Sequence, residues 1–395
     1  MSEVVVRPLQ AHEWPQAAAF ITQMQAASGG VTADNELHTF WLRHRPKRPG
    51  FKFAHYRAAF DGEQLCALAG LSQHTLHYGR AHLRVAMLHP VLTHPDFCGA
   101  GYAAAVLRDV LTYSTEQGAH LVLRDGVAHY YERFGFSPVW PRYTLQSPVE
   151  AALQLEAPLQ IHAARQRDLP YIAALYNRLW QGRVTFSRTP QQWQWLLQAP
   201  VGTIVVAIDA QQRIHGYLWH THKLASQVEV LAQTQAGLST LMVYSAQLWQ
   251  AAGETTLTWL LPPDDVIIPY AQQLLPITLS AHYAPSGHWM ARLIDSSALL
   301  KKLLPEIAAQ AKEMQADFDA ADLVLDVESD AVDIGLRKQA ESHCRLSLRD
   351  FIQVLFGSLR PTTLAVREDL TPEAVTLLEL LFPPRIASIA ALDTI

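Results

Sequence analysis

The chain reads as two copies of one α/β fold followed by a small α+β unit, and three observations predict this. The first is a repeated opening. Val4, Val5 and Val6 begin a strand and Glu13-Trp14-Pro15 a helix; Leu159 to His162 and Asp168-Leu169-Pro170 repeat that order. In both, an acidic and an apolar residue precede a proline in the first helical turn, where a missing N–H costs least. The second is a repeated hairpin: residues 57–62 lead into 65–69, and residues 205–210 into 214–219, with Asp61 and Asp209 beginning the turns. The third is a change of pattern past residue 298, where short helices and strands alternate without repeating either copy. The predicted units are residues 1–152, 153–298 and 299–395, with no long polar linker between them.

Taken in order, residues 83–93 read as a strand with Val85, Met87, Val91 and Leu92 as its apolar bulk. Cys98-Gly99-Ala100-Gly101-Tyr102-Ala103 then opens a helix, since Ala103, Val106, Leu107, Val110 and Leu111 recur at helical spacing. His120 to Leu123 is an apolar strand, and Tyr130-Tyr131-Glu132-Arg133-Phe134-Gly135-Phe136 follows it. In the last unit, Leu299 to Leu304 predicts a short helix stopped by Pro305, and residues 323–327 and 332–336 predict strands. Ser347 and Asp350 form a capping box ahead of Phe351, Ile352, Val354 and Leu355. Thr371-Pro372-Glu373 starts a further helix, which Pro383-Pro384 ends.

Composition narrows the function. The 395 residues carry 31 basic and 36 acidic side chains, a net charge of −5 with no charged tail, which argues against nucleic acid. Eighteen histidines are scattered without paired ligand spacing, so no metal site is expected. Cys66, Cys98 and Cys344 stand too far apart for a disulfide framework, which fits a reducing cytoplasm. No leader pattern opens the chain and no stretch reaches the roughly 20 apolar residues of a membrane span, so a protein without a membrane partner is expected.

Gly99 and Gly101 let backbone N–H groups approach an anion, and a helix N-terminus adds partial positive charge. A phosphate-bearing cofactor fits such a junction, and so does an ordinary tight turn. Strand, Gly-x-Gly, helix, strand and Tyr-x-x-x-Gly-Phe together resemble the GNAT superfamily of N-acetyltransferases, most closely over residues 80–140. In that family's loop an arginine or glutamine is followed by two residues, glycine, one residue, and glycine or alanine; here Cys98, Gly101 and Ala103 take those places. Two such domains and a sterol-carrier-protein-like third resemble the enhanced-intracellular-survival (Eis-like) layout.

That resemblance implies tandem GNAT folds with mixed central sheets, a catalytic domain in residues 1–152, a degenerate copy in 153–298 and a sterol-carrier-like α+β domain in 299–395. It implies acetyl-CoA as co-substrate, an amine acceptor and a homo-oligomer, a hexamer among the forms expected. Backbone at Val91, Leu92 and Thr93 would bind the pantetheine arm and thioester oxygen, and the amides of Gly99, Ala100, Gly101, Tyr102, Ala103 and Ala104 the pyrophosphate. Tyr131, four residues before Gly135, stands where the family keeps the acid that protonates the leaving thiolate. The terminal carboxylate of Ile395 is nominated to help deprotonate the amine. Cys98 replaces a long donor side chain, which would weaken cofactor binding without abolishing it.

The second copy has no Gly-x-Gly at Gln235 to Leu238, and Tyr270 lacks the Gly-Phe that follows Tyr131, so it is expected to bind no CoA. His89, His94 and His129 lie near the expected site and are weaker candidates for the base, since a lone histidine is more often structural. Tyr130 and the tryptophans 180, 193 and 195 read as packing residues. The expected function is acetyl transfer to a primary amine of a small molecule, aminoglycoside- or polyamine-like, or of a lysine side chain. The competing reading is a non-catalytic CoA- or ligand-binding protein that keeps the fold; lipid carriage by the last unit is a third.

Overall fold

The computed structural model describes residues 5–27, 35–126, 128–222, 228–283, 288–313, 322–328, 331–337, 339–367, 370–387, 389 and 393. Strands β1 (Val5–Pro8), β2 (Tyr56–Asp61), β3 (Gln64–Tyr78) and β4 (Ala81–Thr93) are antiparallel neighbours in that order. β5 (Leu121–Gly126) runs parallel to β4, which requires a crossover, and the helix Tyr102–Glu116 supplies it. Val85 pairs with Leu121, Ala86 with Val122 and Met87 with Leu123. Pairing stops there while β4 continues to Thr93, so the two strands part at the centre of the sheet.

β6 (Ser137–Trp140) and β7 (Arg142–Pro148) are separated by a single residue, Pro141, yet enter different sheets. The second half contains β8 (Gln160–Ala163), β9 (Thr185–Phe186), β10 (Gly202–Ile208), β11 (Ile214–Thr221), β12 (Val228–Ala232), β13 (Thr256–Leu260), β14 (Thr278–His282) and β15 (His288–Leu293). Its four-stranded sheet runs β12-β11-β10-β8. β15 crosses into the first sheet between β5 and β6, whereas β7 lies between β13 and β14. The two halves thus exchange a strand.

The repeated openings use one device. Gln10 N–H donates to the Glu13 carboxylate at 2.8 Å, and Arg165 N–H to the Asp168 carboxylate at 2.8 Å. Each satisfies a backbone donor just ahead of a helix, Trp14–Ala27 and Leu169–Leu179. One shared core holds Trp14, Trp41, Tyr56 and Leu68 from the first half with Trp193, Ile204 and Trp219 from the second.

The last unit is a meander of β16 (Leu323–Glu328), β17 (Ala331–Leu336) and β18 (Gln339–Ser347) with helices packed on it. Ser347 Oγ accepts the Asp350 N–H at 3.0 Å and Thr371 Oγ1 the Ala374 N–H at 3.2 Å, so both sequence-read helix starts form. Pro305 does not stop its helix, which runs from Ser296 to Glu313. Leu299, Leu300 and Leu303 before it and Ile307 and Ala311 after it are all buried, and that burial outweighs one lost backbone hydrogen bond. Leu299, Leu300, Leu303 and Ile307 share a core with Leu76, Val85 and Trp140 of the first sheet.

The tail returns to the middle of the molecule. Arg188 donates to the Asp393 carboxylate at 2.8 and 2.9 Å and to the Glu229 carboxylate at 2.8 Å through each of two nitrogens, all three side chains buried. Among the described residues no helix is long and apolar enough to cross a membrane.

Candidate functional site

Two parts of the first half meet at the end of β4. The loop after β4 places Gly99 at φ +82° and Gly101 at φ +89°, the left-handed region that glycine adopts at least cost. A Cβ on either would meet nothing within 4 Å, so the loop's outer side is open. The first bond of the following helix runs from Ala105 N–H to Gly101 O at 3.0 Å, which leaves the amides of Tyr102, Ala103 and Ala104 without helix partners. Ala100 N–H is used locally, donating to Phe97 O at 3.3 Å. Orphan amides, an open face and a helix dipole form an anion cradle suited to a pyrophosphate.

Val91, Leu92 and Thr93 pair with Ala69, Leu68 and Ala67 on the β3 side, and on the other side β5 has already parted from them. Tyr131 ends the short helix Ala128–Tyr131, is 4 % exposed and sits edge-on to Tyr130 and Phe136. Its ring fills the space a side chain on Gly126 would need, since a Cβ there would fall 2.7 Å from Tyr131 Cε2. That glycine, at the end of β5, is the sequence signal that goes with Tyr131.

Arg124 was missed by sequence reasoning. From β5 it spans the parted strands, donating to Leu88 O at 3.0 Å with His89 Nδ1 3.3 Å away. Burial, then Arg124 and Arg45, push the His89 imidazole down to about 3, so it is neutral at physiological pH. Gln25 Nε2 lies 3.5 Å from His89 Nε2, and its carbonyl accepts the Trp41 indole N–H at 2.9 Å. A row of Trp41, Gln25, His89, Arg124 and Tyr131 thus crosses the place where β4 and β5 separate.

The other candidates lie apart. His94 Nδ1 accepts the Asp96 N–H at 3.3 Å as a local cap, and His129 is exposed near Glu132. Cys98 is exposed, with its thiol 3.7 Å from His94 O. Trp180, Trp193 and Trp195 belong to the shared core. Ile395 lies outside the described residues, whose last member is Asp393. No group of metal-ligating side chains occurs among the described residues.

In the second half, Thr234 Oγ1 accepts the Gly237 N–H at 3.1 Å, capping the helix Gln235–Ala251. A Cβ on Gly237 would fall 2.8 Å from His215 O, so this loop is packed against β11 where its counterpart is open. Tyr270 is 40 % exposed, whereas Tyr131 is buried.

Residues 5–139 match the family described as Acetyltransferase (GNAT) domain. No curated protein matches the sequence. Among solved structures, a GCN5-related N-acetyltransferase from Kribbella flavida aligns with a TM-score of 0.66 at 15 % identity, over 98 % of this chain and 99 % of that one. One from Anabaena variabilis aligns with 0.65 at 14 % identity over the same shares. Eis1 from Mycobacterium abscessus aligns with 0.57 at 17 % identity, again over 98 % and 99 %. The parted strands, open loop and buried tyrosine therefore lie within a stretch that matches the GNAT acetyltransferase domain, and the whole chain shares its fold with these proteins.

Proposed function

We propose that the chain is an acetyl-CoA-dependent N-acetyltransferase with one active site, in its first half. Its acceptor is a primary amine of a small molecule, aminoglycoside- or polyamine-like, or of a lysine side chain. The observation that carries this is the meeting of three features around one core: an open, amide-rich loop, a β4 edge that β5 leaves after Met87, and buried Tyr131. Acetyl-CoA would bring an acetyl group activated as a thioester. The amides of Gly99, Gly101, Tyr102, Ala103 and Ala104 hold its pyrophosphate, without that of Ala100, which Phe97 O engages, and the free edge at Val91, Leu92 and Thr93 receives the arm behind it. Tyr131 Oη keeps a proton to give to the departing sulfur. By the Eis-like resemblance, the carboxylate of Ile395 takes the proton that the attacking amine loses.

The packed second loop and exposed Tyr270 favour a second half that acts as scaffold. The three units of the sequence reading, the sterol-carrier-like last unit, the homo-oligomer and a cytoplasmic location belong to the same proposal.

Calorimetry with CoA, and thiol release from acetyl-CoA over a panel of aminoglycosides, polyamines and lysine peptides, test the reading. Tyr131→Phe is expected to lower kcat about 10²–10⁴-fold with CoA affinity unchanged. Absence of CoA binding overturns it. Exposed Cys98, standing where a long donor is expected, favours a second reading, a non-catalytic binding protein. CoA binding without thiol release from any amine decides for that one.

A further inference from the structure

Arg124 is a cation placed where the chemistry of acyl transfer develops negative charge. Its NH1 bridges to Leu88 O and His89 Nδ1 across the parted strands, and its guanidinium carbon lies 5.5 Å from the centre of the Tyr131 ring. Its Nε is buried and has no hydrogen-bond partner among the described residues. A Cβ on Gly126 would fall 3.1 Å from that Nε as well as 2.7 Å from Tyr131, so the bare glycine lets the ring and the guanidinium share one space.

No ion pair of Arg124 occurs among the described residues. Asp125, the next residue on β5, points to the opposite face of the sheet and pairs with Arg142. Met290 of β15 lies opposite Arg124, between His288 opposite Gly126 and Arg292 opposite Val122. Tyr131 approaches from the short helix, with Tyr130 against it and Arg133 over the Tyr130 ring. On the β4 side stands neutral His89, with Arg45 behind it. Among the described side chains the local balance is therefore positive, and His89 is too weakly basic to take a proton from an amine.

We propose that Arg124 is a catalytic residue of acetyl transfer, stabilising negative charge on the thioester oxygen and leaving sulfur and disfavouring the ammonium form of the acceptor beside it. This rests on the acetyltransferase reading above. In the step, the amine lone pair forms the new C–N bond and the C–S bond breaks with its electron pair on sulfur. Tyr131 gives its proton to that sulfur, and the proton lost by the amine passes through the Ile395 carboxylate or water to the tyrosinate and restores it. Arg124 exchanges no proton; its charge lowers the energy of the charged stages and keeps more of the bound amine neutral.

The test is the pH profile of kcat for wild type, Arg124→Gln and Arg124→Lys, with one amine and saturating acetyl-CoA. Arg124→Gln is expected to lower kcat about 10–100-fold and to move the midpoint of the profile upward by about one pH unit, with KM for acetyl-CoA within about twofold. Arg124→Lys, which keeps the charge but not the bridge, is expected to keep the wild-type midpoint. A strut between strands would change thermal stability and leave the midpoint in place. An unmoved midpoint and kcat in Arg124→Gln overturn the role of Arg124 alone, whereas a wild type that releases no thiol overturns the acetyltransferase reading with it. Should Arg124→Gln lose its near-UV circular dichroism, Arg124→Met, similar in length and uncharged, takes its place: a raised midpoint supports the proposal and an unmoved one overturns it.

Discussion

Asp265 shows how strongly one buried carboxyl can respond to its surroundings. It is 4 % exposed, its carboxylate accepts the Ile267 N–H at 3.0 Å, and burial pushes it up to about 6 against the pull of that bond and of Arg183. A carboxyl that holds its proton more tightly folded than unfolded stabilises the fold fully below about pH 4, and that contribution is lost as pH rises through about 6. Asp265→Asn keeps an acceptor for Ile267 and removes the charge. It is expected to stabilise the protein by about 1–3 kcal/mol at pH 8 and to be nearly neutral at pH 4, read from thermal melts at the two pH values. Destabilisation at both would show that the charged form is needed. At this same scale, Tyr131 was legible in the sequence because its spacing to Gly135-Phe136 is local. Arg124 was not, because an arginine just past the apolar run of Leu121, Val122 and Leu123 reads as an ordinary strand end until the parting of β4 is known.

At the scale of elements, the loop that opens Tyr102–Glu116 and the one that opens Gln235–Ala251 have opposite fates. Gly99 and Gly101 bend with positive φ into open space, whereas Gly237 is present because β11 backbone touches it. The sequence distinguished them by the missing Gly-x-Gly, and the structure adds that Thr234 already caps the second helix. The helix through Pro305 is the element that local reading missed. Propensity ends a helix at proline, but here apolar residues on both sides of it are buried against the first sheet. Pro305→Ala restores one backbone donor, and its gain of up to about 3 kcal/mol is reduced by about 0.4–1 kcal/mol for the more flexible unfolded chain. A net stabilisation of about 1–2 kcal/mol is expected in urea melts. An unchanged midpoint would mean that the proline already sits without loss.

For the whole molecule, the exchange of β7 and β15 is decisive. β5 pairs with β15 from His288↔Gly126 to Leu293↔Leu121, and β6 reaches the first sheet only through β15. A fragment of residues 1–152 would expose the edge of β5 and lose its link to β6, Phe40 and His44 would lose Trp195, and His74 would lose Phe186. Such a fragment is expected to show no cooperative melt and no CoA binding alone, and to recover both when co-expressed with residues 153–395. Independent folding of the fragment would mean that the exchanged strand is dispensable.

What the sequence determined by itself is what short stretches of chain determine. The capping carboxylates Glu13 and Asp168, the aspartate-led hairpins and the glycine loop all act over a few residues, and periodicity or turn chemistry reveals them, while Tyr131 is marked by the resemblance of its short motif to a family pattern. The tertiary structure alone decided the strand exchange, the unbroken helix at Pro305, the Arg188 cluster that anchors Asp393, and the place of Arg124 beside Tyr131. Each of these depends on residues brought together from distant parts of the chain. Burial and pairing across such distances leave no local pattern to read.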